Sequence, residues 1–266
     1  EQRALIERTI ANQHRNDAAL DQYERLERKQ VWRAANDPRP AEDRIVRVIP
    51  TGLGNARLPV DAEGRPTNRE AYYRGLRSLE RSLVVVLDPN DPRRRQDEQK
   101  TAKRKKERAE LVDQTHDAFL YTWQGRETRD GRLLAKFVAE PNPAYQATSR
   151  NAALFAHARA IVWLDEEQGQ LARLEAEVTS DISIGAGIIA KVYRGGRFVL
   201  EQAEVAPGVW LPTHYESHFD GRKFVFGFGI HELTTATRYR RVGPPAEALV
   251  AVRHELSTSP GPRTNP

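Results

Sequence analysis

The chain has 266 residues, of which 30% are charged and 39% hydrophobic, with a net charge of +5 and no cysteine. That length can bury a sizeable core as one large β domain or two small ones, and the missing cysteines exclude disulfides, thiolate metal sites and thiol nucleophiles. A mildly basic balance is compatible with an anionic partner without requiring one. No run approaches the ~18 apolar residues of a membrane helix; the best short cluster is Leu83-Val84-Val85-Val86-Leu87. The chain opens at Glu1 and contains no methionine, so it starts after a processing event or an imposed boundary, which leaves room for an export signal already removed.

Leu5, Ile6, Thr9, Ile10 and Gln13 share one helical face, which predicts a short amphipathic helix over residues 1–16. Asp21 to Arg33 alternates like a highly charged strand, and Asn36-Asp37-Pro38-Arg39-Pro40 reads as a loop. Arg44 to Pro50 and Ala56 to Val60 are expected strands. Thr67 and Glu70 match a capping box ahead of Tyr72, Leu76, Leu79 and Leu83 at helical spacing. Asp88-Pro89-Asn90-Asp91-Pro92 stops that helix and can start another, because proline suits a first helical turn. Residues 93–116 then form a charged, solvated helix. Asp130-Gly131 joins two strands, Phe119 to Arg129 and Arg132 to Glu140, and Thr148 to Ala156 is expected as a short helix.

From Arg159 to Val242 short strands recur with turn signals at Gln168-Gly169, Gly195-Gly196, Pro207-Gly208 and Asp220-Gly221. This spacing predicts an antiparallel meander. Taking Asp220-Gly221 as a two-residue turn pairs Ser217 with Phe224, Tyr215 with Phe226, Thr213 with Phe228 and Leu211 with Ile230. Gly195-Gly196 likewise sets Tyr193 opposite Phe198, and Lys191 opposite Leu200. The expected apolar face therefore carries Phe198, Leu200, Leu211, Tyr215, Phe224, Phe226, Phe228 and Ile230; the other carries Trp210, His214, Glu216, His218 and Lys223. The chain's own helices, Leu5/Ile6/Ile10 and Tyr72/Leu76/Leu79, would cover the apolar face, either as solid core or with room left for an apolar guest. Gly243-Pro244-Pro245 and the Ser/Thr/Pro-rich end read as a mobile C-terminal tail, residues 243–266.

Four segments carry a family resemblance: Arg57-Leu58-Pro59-Val60 with Glu63-Gly64-Arg65-Pro66-Thr67; Asp130-Gly131-Arg132 leading to Phe137 and Glu140-Pro141-Asn142-Pro143-Ala144-Tyr145; Ala160-Ile161-Val162-Trp163-Leu164-Asp165; and Val209-Trp210-Leu211-Pro212. Together they resemble exported bacterial proteins of the outer-membrane lipoprotein-sorting superfamily, and more closely a branch known mainly from acidobacterial genomes. The resemblance spans roughly residues 1–242. It implies a mainly β, α+β fold: a curved antiparallel sheet or incomplete β-barrel with helices packed on the concave side, one domain over 1–242 with a charged helical insertion at 67–116. It also implies a periplasmic address and acyl chains held between sheet and helices. The insertion is longer and more charged than in the well-known carriers, which departs from the pattern of lipoprotein transfer.

The residues offer little chemistry. His214 and His218 form a His-x3-His pair, but on a strand four residues separate them by about 13 Å, too far for one ion. His231 falls opposite Trp210 in the register above, so no metal site is expected. Gly185-Ala186-Gly187-Ile188-Ile189-Ala190 lacks the strand–helix context of a dinucleotide loop and reads as a sheet corner, and no cofactor is expected. No nucleophile–base pair or catalytic carboxylate pair can be assembled, so the chain is not read as an enzyme. Arg93, Arg94, Arg95, Lys103, Arg104, Lys105 and Lys106 could meet an anionic membrane surface or an acidic partner. Nucleic acid is disfavoured, because no aromatic residues interleave and four carboxylates dilute the charge. The sequence thus supports a non-enzymatic binder of a lipid or acyl chain. The alternative is an interaction subunit of an envelope assembly, docking through residues 93–116 and the tail.

Overall fold

The computed structural model describes residues 1–34, 36–149, 151–184, 190–224 and 226–258. Its strands are β1 (Tyr23–Trp32), β2 (Glu42–Pro50), β3 (Asn55–Pro59), β4 (Phe119–Arg129), β5 (Arg132–Pro141) and β6 (Ala158–Asp165). They continue with β7 (Gln170–Val178), β8 (Ile182–Ile184), β9 (Ala190–Val192), β10 (Arg197–Ala206), β11 (Val209–Lys223) and β12 (Phe226–Arg241). The helices are α1 (Gln2–Leu20), α2 (Arg69–Leu87), α3 (Pro92–Ala118) and α4 (Pro245–Ser257), with a 3-10 turn at Ala152–His157. The twelve described strands make one mostly antiparallel sheet, ordered β3-β2-β1-β12-β11-β10-β7-β6-β5-β4, with β9 joined to β11 and β8. The path ends at β3 and β4 and does not close into a barrel. The expected fold class, an α+β protein built on an open antiparallel sheet, is what the chain adopts.

Local chemistry explains the hairpins that were legible. Asp130 and Gly131 both take left-handed backbone angles, φ 51° and 77°, as a two-residue turn between strands requires. Pro207 and Gly208 join β10 to β11, with Ala206 opposite Val209. The next hairpin differs from expectation. Asp220 and Gly221 lie inside β11, and the chain reverses between Lys223 and Phe226. Gly221 is a close-approach position: a Cβ there would lie 2.4 Å from the Lys191 carbonyl oxygen and 2.7 Å from the Phe228 ring. The true turn begins at Phe224, whose φ of 53° is unusual for a bulky residue and carries no glycine signal.

The pairing therefore changes. Tyr215 opposes Thr234, Ser217 opposes Glu232 and Phe219 opposes Ile230. The Gly195-Gly196 pairing also fails: β9 lies against β11, with Lys191 opposite Arg222, and not against β10. The glycine-rich stretch 185–189 falls outside the described residues.

The chain divides into two compact units, one of residues 1–17, 29–43 and 106–236, the other of residues 18–28, 44–105 and 237–266. In the second unit Asn68, not Thr67, caps α2 by accepting a hydrogen bond from the Ala71 N–H. Tyr72, Leu76, Leu79 and Leu83 recur at helical spacing and pack with Ile49, Leu58, Val60 and α4. The expected cover of an aromatic face by Tyr72, Leu76 and Leu79 is thus corrected, because these side chains build this core instead. So is the expected tail over residues 245–257: it forms α4, whose Ala248, Leu249 and Val252 are buried with α2.

A polar knot seals one side of this core. Arg47 bonds Glu24 at 2.8 Å and Glu255 at 2.8 Å, and donates to the Tyr72 hydroxyl, which donates to Glu255. Breaking one partner would strand a buried charge. Burial pushes the Tyr72 phenol up to about 12. The unfolded phenol ionises near pH 10, so above that pH the unfolded chain binds fewer protons than the folded one and stability falls as pH rises. Urea titrations between pH 9 and 12 are expected to show this loss, and Tyr72→Phe is expected to reduce the slope over that window, the buried Tyr121 and Tyr239 retaining their share. An unchanged slope in the variant would remove Tyr72 as its source.

Candidate functional site

The first unit builds its site from strand alternation. One row of residues runs across six strands as Trp123, Phe137, Val162, Leu174, Leu200 and Tyr215, each opposite the next. The neighbouring row on the same face reads Tyr121, Ala139, Ala160, Ala176, Phe198 and Ser217. Three successive alanines in that second row lower the floor between two aromatic rings. Side chains without bulk leave a trough that neighbouring strands cannot fill.

Helix α1 lies over this trough and contributes Ile6, Thr9, Ile10 and Gln13; the end of α3 adds Val112 and Thr115. The space enclosed is about 410 Å³ and opens to solvent. Ala139, Ala160 and Ala176 form part of its wall with Val162, Leu164, Leu174 and the rings of Phe119, Tyr121 and Phe155. Arg108 donates to Asp17 at 2.8 Å at its edge, and both residues line it. Burial holds the Tyr121 phenol near 12, so it stays neutral. The cavity offers an apolar wall with polar groups from the helices, a pattern suited to a guest with an apolar chain.

What keeps α1 in place is polar. Asn12, almost fully buried, donates to the carbonyl oxygens of Gln168 and Gly169 in the turn between β6 and β7. Asn16 donates to the Gln170 side chain at 2.8 Å and accepts from the Trp210 N–H at 3.1 Å. Gln202 donates to Gln13 at 2.9 Å. These bonds fix one end of the helix, while Ile6 packs with Ala135, Phe137, Val162 and Leu164.

Of the eight residues expected to line an apolar cavity, Phe198 and Leu200 do so. Tyr215 is half-buried with its ring 5.1 Å from that of Phe198, and Leu211 is fully buried. Phe226 is 74% exposed, Phe224 53% and Ile230 44%. Phe228 is half-buried against Gly221. The shifted β11–β12 register accounts for this. The alanines, Val162, Leu164 and Leu171 were missed as lining residues; the available signal was small residues recurring at alternate positions of consecutive strands.

The charged set on α3 sits on a helix whose only buried residue is Ala118. Arg93 pairs with Asp91, Arg94 with Glu98, Lys105 with Asp21 and Lys106 with Glu110, and Lys103 is also engaged within the chain. Arg95 and Arg104 lie at exposed positions. On the sheet face opposite the trough, Arg159, Glu177, Arg197, His218 and His231 follow one another in register. His231 therefore stands beside His218, not opposite Trp210.

No known sequence family and no curated protein matches the chain. Among solved structures it is similar to an outer-membrane lipoprotein-sorting protein domain described as putative in Vibrio parahaemolyticus, at 8% identity and a TM-score of 0.31, covering 89% of this chain and 93% of that one. It is also similar to a DUF1329 family protein from Desulfovibrio piger, at 10% identity and a TM-score of 0.29, covering 90% and 92%. A LolA superfamily protein from Nitrosomonas europaea aligns at 8% identity and a TM-score of 0.32, covering 92% and 96%. Similarity at that level carries no functional argument, and the cavity has to speak for itself. No helix among the described residues is long and apolar enough to cross a membrane.

If the asparagines anchor the helix, Asn16→Ala leaves the Trp210 N–H and the Gln170 amide without their partners, at a cost of about 1–3 kcal/mol. Hydrogen exchange should then accelerate in α1 more than in β5 and β6. Uniform acceleration across the first unit would show that the contact does not act on the helix locally.

Proposed function

We propose that the first unit is a non-enzymatic binder that shelters an apolar chain, of the lipid or acyl class, between α1 and the alanine trough. The observation that supports this most directly is the cavity of about 410 Å³ walled by Ala139, Ala160, Ala176 and aromatic rings. Its volume falls within the ~300–1,000 Å³ of small-molecule sites. Each methylene moved from water into such a wall contributes about 0.8 kcal/mol, so a chain of several carbons needs no polar anchor to bind. Gln13, Thr115 and the Asp17–Arg108 pair supply polar groups that a headgroup could meet. The resemblance of four sequence segments to exported lipoprotein-sorting proteins favours a periplasmic setting. A docking role for α3 is less supported, because five of its seven highlighted cations are already engaged within the chain.

Organic extraction of purified protein followed by mass spectrometry is expected to release a lipid-class guest. A fluorescent fatty-acid probe should bind one per chain. Ala160→Phe, which fills the trough, should weaken it at least tenfold, with folding checked by the urea midpoint. Phe226→Ala, on an exposed ring, should leave it unchanged. Unaltered binding by Ala160→Phe, or equal loss with Phe226→Ala, would refute this placement.

A further inference from the structure

The register of β11 and β12 sets His218 directly opposite His231, on the charged face of the first unit. Their Nδ1 atoms stand 3.3 Å apart, with ring centroids at 5.5 Å and planes inclined by 39°. The far nitrogen of each ring rests on a carboxylate. His218 Nε2 meets Glu216 Oε1 at 2.7 Å, and His231 Nε2 meets Asp220 Oδ1 at 3.1 Å. Gly229 makes the second contact possible, since a Cβ there would lie 2.7 Å from His231 Nε2 and 3.1 Å from the Asp220 oxygen.

An ionised carboxylate only accepts hydrogen bonds, so both Nε2 atoms carry their protons. When both rings are neutral, each has one N–H, and with that proton on Nε2 both Nδ1 atoms present lone pairs. In that state two lone pairs face each other across 3.3 Å. A cation between the two nitrogens would satisfy both lone pairs. Zinc–nitrogen bonds of about 2.0–2.1 Å at a tetrahedral angle hold two ligand nitrogens roughly 3.3–3.4 Å apart. Histidine ligands characteristically donate their other N–H to a carboxylate, which fixes tautomer and ring orientation. The nitrogen separation and both carboxylate contacts are in place here.

We propose that His218 and His231 form a two-histidine site for a divalent transition-metal ion of the zinc or copper type, bound through both Nδ1 atoms and oriented by Glu216 and Asp220. Among the described residues no third histidine, aspartate or glutamate completes a closed set, so the remaining positions belong to water or an exchangeable ligand. Such a site differs from a closed structural zinc site, which takes four protein ligands. His231 is 2% exposed and His218 36%, so the ion reaches the pair from the His218 side. There His218 and Glu216 line a polar cleft of about 580 Å³ with Arg159, Arg173 and Arg197.

The test is a Zn²⁺ titration of the whole chain, followed by calorimetry and by long-range ¹⁵N–¹H spectra of the imidazoles. One ion per chain is expected, with both Nδ1 resonances shifted and both Nε2 atoms still protonated. His218→Ala, at a part-exposed position, should weaken this binding at least tenfold with the urea midpoint preserved. Glu216→Gln is expected to weaken it about 10–100-fold and to alter the His218 Nε2–H signal, as an orienting carboxylate should. Absence of a zinc-dependent Nδ1 shift, metallation at Nε2, or wild-type affinity in His218→Ala would overturn the site. Spectra in which a single shared proton bridges the two Nδ1 atoms and zinc fails to displace it would do the same.

Discussion

The first unit depends on two buried asparagines. Asn12 and Asn16 tie α1 to the β6–β7 turn and to β11 through amide hydrogen bonds that are directional and fixed in length. A helix held only by apolar packing would settle onto the sheet until the gap closed. Polar anchoring at one end sets a height for the helix. The three alanines beneath then leave that height unfilled. The cavity follows from these two facts together, because on the neighbouring row the bulkier Phe137 reaches Ile6 and packs with it.

The two faces of this part of the sheet divide the chemistry. Odd and even positions of each strand point in opposite directions, so a single register separates an alanine–aromatic floor from a lattice of Arg, Glu and His. The lattice includes Arg159 against Glu140 at 2.5 Å and Lys136 over the Trp163 ring at 4.8 Å. Exposed pairs such as Arg159–Glu140 contribute little stability individually. Their larger effect is on specificity, since a one-residue slip would bury the whole charged set. The same alternation places His218 beside His231.

Much of the secondary structure was legible from local pattern. The β4–β5 hairpin follows from Asp130-Gly131, α2 from the spacing of Tyr72, Leu76, Leu79 and Leu83, and the start of α3 from Pro92. The site was legible only in part. Phe198 and Leu200 were found because β10 lies next to a true turn, whereas Phe224, Phe226 and Ile230 were misplaced by a glycine that marks a close approach, not a reversal. Helix α4 was hidden by its proline-rich flanks, although its Leu249 and Val252 follow helical spacing.

By itself, the order of residues determined where most strands and helices form, α4 and the β11–β12 reversal excepted, because hydrophobic periodicity, capping and left-handed turn positions act within a few neighbours along the chain. Which strands pair in which register, which helix covers which face, and that three alanines from β5, β6 and β7 fall side by side were decided only in three dimensions. Those outcomes depend on contacts between residues far apart in sequence. Phe224 shows the limit most plainly: its backbone takes a left-handed angle that no local signal requests, and the pairing of the surrounding strands imposes it.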